Sequence, residues 1–296
     1  MFNKHRQQQF ETYQVARKHF CEHPEQLIAI EEFLLSVLIK GVSADIEQIK
    51  RDYNEASFLY PFWQHYPPDE RGRDPKGDQF PWIEVGEHAL GCKLHKYLRD
   101  FEVMDAGLPT GADQRFIVRA REISKITEGF TDAAWLHVDI KSVGPRDDQD
   151  HTVMSHNQVS GDGVWASVKE GVRNRVLLAE GARASHDFHC SVPPIYVLSN
   201  GIIAPVVLGV IKPVYDMLSL KGGDGGQPLS RITFACIPNG ILLCENPNYL
   251  KKYRGLLFPG KDDKGKDPRK IRARVDFSLL RAIAKWRMFD LKVSGV

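Results

Sequence analysis

Apolar positions in the first sixty residues fall on a helical period. After Pro24, Leu27, Ile30, Leu34 and Leu38 recur three or four apart, so residues 3 to 57 are predicted as helices. Ser43 is placed to cap the segment that follows this run. Between Tyr66 and Phe80 the period dissolves into YPPDERGRDPKGDQF, a loop of prolines, glycines and charges. Helical spacing resumes over WIEVGEHALGCKLHKYLRDF, which sets Glu84 and Glu87 one turn apart on a shared face.

Further on the period shortens to two. In AAWLHVDIK, Ala134, Leu136, Val138 and Ile140 lie on one side of a strand. An apolar stripe of Trp165, Val168, Val172, Val176 and Ala179 predicts a helix over Val164 to Ala184. PPIYVLSNGIIAPVVLGVI reads as two strands around Asn200-Gly201, and ITFACIPNGILLC as the same plan around Asn239-Gly240. No repeat of 20 to 50 residues occurs, and KGGDGG alone is of low complexity, a turn without the ending of a phosphate loop. Helices followed by a mixed sheet with one crossing helix predict an α/β or α+β fold, built as one domain over 1–296 with embellishments.

Composition excludes whole classes. With 42% hydrophobic and 26% charged residues in 296, the chain is neither disordered nor fibrous and can bury a large core. Five cysteines, none in a CxxC pair, form no disulfide framework and no sulfur-rich zinc site, which suits a reducing cytoplasm. MFNKHRQQQF lacks the apolar core of a signal peptide. The run Leu27 to Ile39 is too short for a bilayer and is interrupted by Glu31 and Glu32. A soluble protein without a membrane partner is expected. The net charge of +2 demands no anionic partner, but the charges are unevenly spread.

The most informative residues end the alternating strand. Asp139 and Lys141 point the same way while Val138 and Ile140 enter the core, so a carboxylate and an ammonium are expected on one exposed face. Asp113 ends the turn LPTGAD, where a following strand brings it alongside. Two carboxylates plus a backbone carbonyl suit Mg²⁺, and a nearby lysine can hold a water for attack on phosphorus. The competing reading is a salt-bridged strand end; Asp113 upstream and a Glu on the preceding helix make the constellation more specific than D-x-K alone. His186, His189 and Cys190 lack a familiar metal-ligand spacing and read as structural or surface residues. No GxSxG elbow or cysteine nucleophile is present.

A second cluster lies near the C-terminus, where Lys251 to Val275 hold ten Lys/Arg and three Asp. A solvated face is one reading. The other is DNA: Arg272 and Arg274 alternate with Ile271, Ala273 and Val275, so a strand presents both guanidinia together, fit to read two guanines. In GKDDKGK, Asp262 and Asp263 stand beside Lys261, and a carboxylate facing DNA makes sense as an acceptor from cytosine.

The chain resembles the BglI-type restriction endonucleases of the PD-(D/E)xK nuclease superfamily. The likeness runs through RGRDPKGDQFPWIEVGE, GLPTGAD, GFTDAAWLHVDIKSVGPRD, NQVSG, PPIYVLSNGIIAPVV, PGKDDK and RARVD, from about Tyr53 to Asp276. It implies a restriction-endonuclease-like mixed β-sheet flanked by helices, working as a homodimer on double-stranded DNA. It divides the chain into a helical N-terminal part (1–60), a catalytic core (80–190) and a β-rich part with the DNA-reading segment (191–296). It implies Asp113 and Asp139 as metal ligands, Ile140 offering its carbonyl, Lys141 as the catalytic lysine and Glu87, rather than Glu84, as a further acid. Base contacts would fall on Asp147, Lys261, Asp263, Arg272 and Arg274. The family's first acid follows a proline, whereas Ala112 precedes Asp113 here. Expected with this are Mg²⁺, cleavage of GCCNNNNNGGC to 5′-phosphate and 3′-hydroxyl ends, and a cognate DNA methyltransferase in the host. The alternatives are a structure-specific repair or junction nuclease of the same fold, a non-catalytic DNA-binding protein, and a metabolic enzyme, for which no cofactor motif is found.

Overall fold

A computed structural model describes residues 2–63, 82–107, 111–144, 147–216, 228–260 and 271–293. Three long helices open the chain: α1 (Phe2–Glu22), α2 (Pro24–Ala44) and α3 (Ile46–Trp63). The predicted stripe of α2 is its buried face, carried by Leu27, Ile30, Leu34 and Leu38. Ser43 does not cap α3. It lies in the last turn of α2, and Asp45 makes the junction, accepting from Ile49 N at 3.0 Å through its carbonyl. The predicted helix after the 66–80 loop is α4 (Trp82–Tyr97); that loop, like KGGDGG, lies outside the described residues.

The main sheet has seven strands. Its order is β1 (Glu102–Asp105), β2 (Gln114–Arg119), β3 (Ala133–Ile140), β8 (Ile203–Tyr215), β9 (Leu229–Ile237) and β12 (Met288–Lys292), with β7 (Ile195–Val197) on the start of β8. Only β3 and β8 pair in parallel; the other pairings are antiparallel, so the sheet is mixed as expected. All eight residues of β3 are buried, which explains why it reads as nearly continuous apolar sequence. One apolar core joins α1 and α2 to the sheet and to α8 (Phe277–Ile283), through Tyr13, Leu34, Val138, Ile211 and Phe277.

Two smaller sheets decorate this frame. β4 (His151–Ser155), β11 (Arg272–Asp276) and β10 (Leu257–Phe258) form one in the order β10-β11-β4, and β5 (Leu177–Glu180) pairs with β6 (Ser185–Phe188). The expected hairpin around Asn200-Gly201 joins β7 to β8, with Gly201 at a φ of 83° that suits glycine.

Two expectations are corrected. Val164 to Ala184 is not a helix: it runs irregularly before entering β5, with Gly171 at a φ of 77°. Polar side chains fix this irregular path and tie it to other parts of the chain. Asp162 accepts from Arg175 N at 2.7 Å, and the Asn174 amide donates to the carbonyls of Cys190 and Val192 at 3.0 Å each. Nor is Asn239-Gly240 a hairpin turn. Asn239 caps the short helix α6 (Gly240–Cys244), accepting from Ile241 N at 3.0 Å while its amide donates to Pro194 and Val206.

Candidate active site and DNA-reading sheet

The strand-end site is assembled by where β2 starts. The last β2–β3 pair is Gln114 with Val138, so beyond Val138 that edge of β3 has no strand beside it. Asp113 fills the gap: its Oδ2 accepts from Ile140 N at 2.6 Å. A residue's N–H and C=O leave a strand on the same edge, so the Ile140 carbonyl lies on the Asp113 side. On the opposite edge, Lys141 N donates to Ile211 O of β8 at 2.9 Å, which locks the strand end in register.

Asp139 is only 3% exposed, not on the open face the alternation predicts. The turn after β4 covers it. Gln158, itself 8% exposed, donates to Asp139 Oδ1 at 2.6 Å. Lys141 Nζ also donates to Oδ1, at 3.1 Å, and lies 2.9 Å from Oδ2. Oδ2 is buried and receives no directed hydrogen bond. Burial pushes the Asp139 carboxyl up to about 6, against the lowering influence of Lys141, and Asp113 and Glu87 raise it further by their charge.

Helix α4 packs on the Ile140 face of β3. A Cβ on Gly91 would stand 3.5 Å from Ile140 Cδ1, and one on Gly86 would overlap Ser142 Oγ, so glycine lets the helix come this close. Glu87, half-buried next to Gly86, reaches Asp139 through its charge. The Glu84 side chain lies outside the described residues.

The donor set fits a hard divalent cation: two carboxylates, one with a buried oxygen lacking a directed partner, beside an edge carbonyl. Among the described residues, no three His, Cys, Asp or Glu side chains gather into a metal cage. His186 lies in β6, and His189 and Cys190 just beyond it.

The two alternating arginines stand where the sequence places them. In β11, Ala273 and Val275 are fully buried while Arg272 is exposed and Arg274 half-buried. Their ladder partners on β4 are Ser155 and Val153, so these four residues share one face. Arg274 Nη1 lies 3.3 Å from His151 Nε2, and the His151 ring packs edge-on against Phe258. Asp147 is exposed in the connection between β3 and β4; Lys261 and Asp263 lie outside the described residues.

One cluster carries no local signal in the sequence. Lys212, on β8 just past the strand-end site, is 3% exposed. Its Nζ donates to Gln149 O at 2.6 Å and lies 3.3 Å from Asp148, whose two oxygens each accept from Arg231 at 2.7 Å. Burial holds the Lys212 ammonium below its usual range, partly offset by Asp148. With Asp150, Arg281 and Asp290 these groups line a polar cleft of about 200 Å³. Its cations and carboxylates are matched, so it is a structural tie that pins the 148–151 segment to β8. Nothing in the local sequence pairs positions so distant.

Fold and strand-end acids together define a restriction-endonuclease-like nuclease core. The family model "Restriction endonuclease BglI" matches residues 8–291. The type II restriction enzyme BglI of Bacillus subtilis is 46% identical over 285 residues, 95% of each chain. The crystal structure of BglI bound to its DNA recognition sequence matches with a TM-score of 0.90 at 45% identity, covering 99% of both chains. Tetrameric SfiI bound to cognate DNA shares the fold at a TM-score of 0.59 and 14% identity, over 92% of this chain and 86% of that one. The chain belongs to the BglI family of type II restriction endonucleases, site-specific deoxyribonucleases whose chemistry calls for a divalent metal. Among the described residues no helix is long and apolar enough to cross a membrane.

Proposed function

We propose that this chain is a Mg²⁺-dependent, cytoplasmic homodimer that cuts double-stranded DNA within an interrupted palindrome, GCCNNNNNGGC. The observation that carries the reading is the joining of Asp113, the Ile140 backbone and the Asp139–Lys141 pair at one strand end, in a chain of this family. Asp113, Asp139 and the Ile140 carbonyl would hold the metal, and Glu87 would add a further acidic group from the helix. A divalent ion bound there supplies neutralisation of the charge that grows on the scissile phosphate. Lys141 Nζ, one-third exposed and fixed by Asp139, holds the attacking water in line with the leaving oxygen. Displacement then leaves a 5′-phosphate and a 3′-hydroxyl.

Base reading falls to Arg272 and Arg274 on the open face of the small sheet, with Asp147, Lys261 and Asp263 on the loops. Arginines for guanine and aspartates for cytosine suit half-sites made only of G and C. A cognate methyltransferase would protect host DNA. The test is digestion of plasmid and phage DNA with Mg²⁺ and with EDTA. Discrete fragments that need Mg²⁺ and end within GCCNNNNNGGC are expected. A smear would replace sequence reading by unspecific cleavage, and intact DNA holding that site would overturn the specificity.

A further inference from the structure

Gln158 belongs to the NQVSG block and is neither a proposed metal ligand nor a proposed base reader. Its side chain is buried, both N–H groups of its amide donate and its oxygen accepts. Nε2 donates to Asp139 Oδ1 at 2.6 Å and to Gly111 O at 2.9 Å, while Oε1 accepts from Ser155 N at 2.8 Å. The amide cannot be turned over, because its oxygen would then face a carboxylate and a carbonyl, and its NH₂ a backbone N–H. These three partners lie on three segments: the end of β3, the turn that carries Asp113, and the end of β4.

Each contact has a consequence. By occupying Oδ1 together with Lys141, Gln158 leaves Oδ2 as the oxygen of Asp139 without a directed hydrogen bond. At Gly111 it supports the turn that delivers Asp113, aided by Gly111 N donating to Asn157 O at 3.0 Å. The turn fits tightly, since a Cβ on Gly111 would stand 2.3 Å from Asn157 Oδ1. At Ser155 it holds the residue directly opposite Arg272 in the β4–β11 ladder.

We propose that Gln158 is a positioning residue that selects which Asp139 oxygen faces the metal and ties that geometry to the DNA-reading sheet. Outer partners of metal-ligating carboxylates act in this manner, by fixing the orientation of the group that touches the ion. The proposal rests on the reading of Asp139 as a metal ligand. A shift of β11 on meeting the right bases would be passed through Ser155 N to the amide that orients Asp139, so a wrong base pair would spoil the metal site as well as the contact.

The test compares the full-length wild type with Gln158→Leu, Gln158→Met and Asp139→Asn, each checked for an unchanged melting temperature. Mn²⁺ binding is followed by electron paramagnetic resonance, with a duplex that carries the mapped cleavage site in uncleavable form. Duplex binding without metal is measured separately, as is the ratio of cleavage at that site to cleavage at a one-base variant. Gln158→Leu and Gln158→Met should weaken Mn²⁺ binding about 10–100-fold, leave metal-free duplex binding unchanged and lower the cleavage ratio. Unchanged Mn²⁺ binding in both Gln158 variants would overturn the positioning role. Weakened Mn²⁺ binding with an unchanged ratio would keep the metal half and overturn the tie to base reading. Asp139→Asn should lose Mn²⁺ binding; if it binds and cleaves normally, the metal-ligand reading itself fails, whatever Gln158 does.

Discussion

The end of β3 and the β10-β11-β4 sheet carry comparable numbers of charged groups yet solve opposite problems. At the strand end, Asp139 is buried, hydrogen-bonded by Gln158 and Lys141, and shifted in its protonation by burial. On the small sheet, Arg272 is exposed and Arg274 half-buried, and the apolar residues between them do the packing. A group that holds a metal must be fixed before substrate arrives, because precise placement is its contribution. A group that reads bases must stay open, because its partners come from the DNA. With Asp139 proposed as a metal ligand and Arg272 and Arg274 as base readers, burial separates the chemical from the recognising residues in one molecule.

Breaking the first region should have the larger effect. Asp139→Ala removes a proposed metal ligand, worth several kcal/mol in that role, so single-turnover cleavage should fall on the order of 10³-fold or more. Duplex binding should stay largely intact, and a variant that still cuts well would erase the contrast. Asp148→Ala withdraws the carboxylate that faces Arg231 and the nearly buried Lys212. Lys212 keeps its backbone carbonyl and Asp148 is partly exposed, so a loss of about 1–3 kcal/mol in urea unfolding is expected. Cleavage discrimination should fall with it, since that segment leads into β4.

Sharpening the second region takes a finer measurement. Arg274→Ala should cost ~1–3 kcal/mol at one base pair and relax specificity there. Equal weakening on every sequence, with a shallower salt dependence, would make it a phosphate contact instead. The smallest effect concerns acid. Burial, Arg274 and Lys212 hold the His151 imidazole below its ordinary range. The stability tied to its neutral form is therefore complete above about pH 6.5 and is lost as the pH falls below it. His151→Gln should flatten the fall of the urea midpoint between about pH 6.5 and 5, by less than the roughly 1.4 kcal/mol per pH unit of one full proton.

The legible parts of the molecule are those decided locally. The α2 stripe, the β7–β8 hairpin and the alternation of Arg272 and Arg274 need only neighbours within a few positions, and each appears as read. Asp113 and Asp139 could be paired because a turn and a following strand define their distance. The same local reasoning failed where side chains from afar decide the backbone. Asp162 takes the Arg175 N–H that a helix over 164–184 would have bonded internally, Asn174 ties the segment to the distant carbonyls of Cys190 and Val192, and Asn239 caps α6 while its amide is held by Pro194 and Val206. Gln158 and Lys212 were invisible for a related reason: an isolated Gln or Lys carries no spacing, and its partners are known only once β4, β3 and β8 meet.

The parallel junction of β3 and β8 bears on how the enzyme comes into being. Asp139 lies opposite Val210, so the chain must close a loop of about seventy residues before the two strands touch. That loop holds β4 to β7, and neither strand can finish the sheet until its ends have found each other. Closing so long a loop is entropically unfavourable until the pairing rewards it, and sheets joined this way fold slowly with apolar edges exposed. Substitutions in Val206 to Ile211 are thus expected to appear first as poor yield from expression and as aggregation during refolding, before any loss of cutting by the molecules that do fold. The nascent chain cannot cut DNA until β8 has been synthesised, which delays activity to the last third of translation.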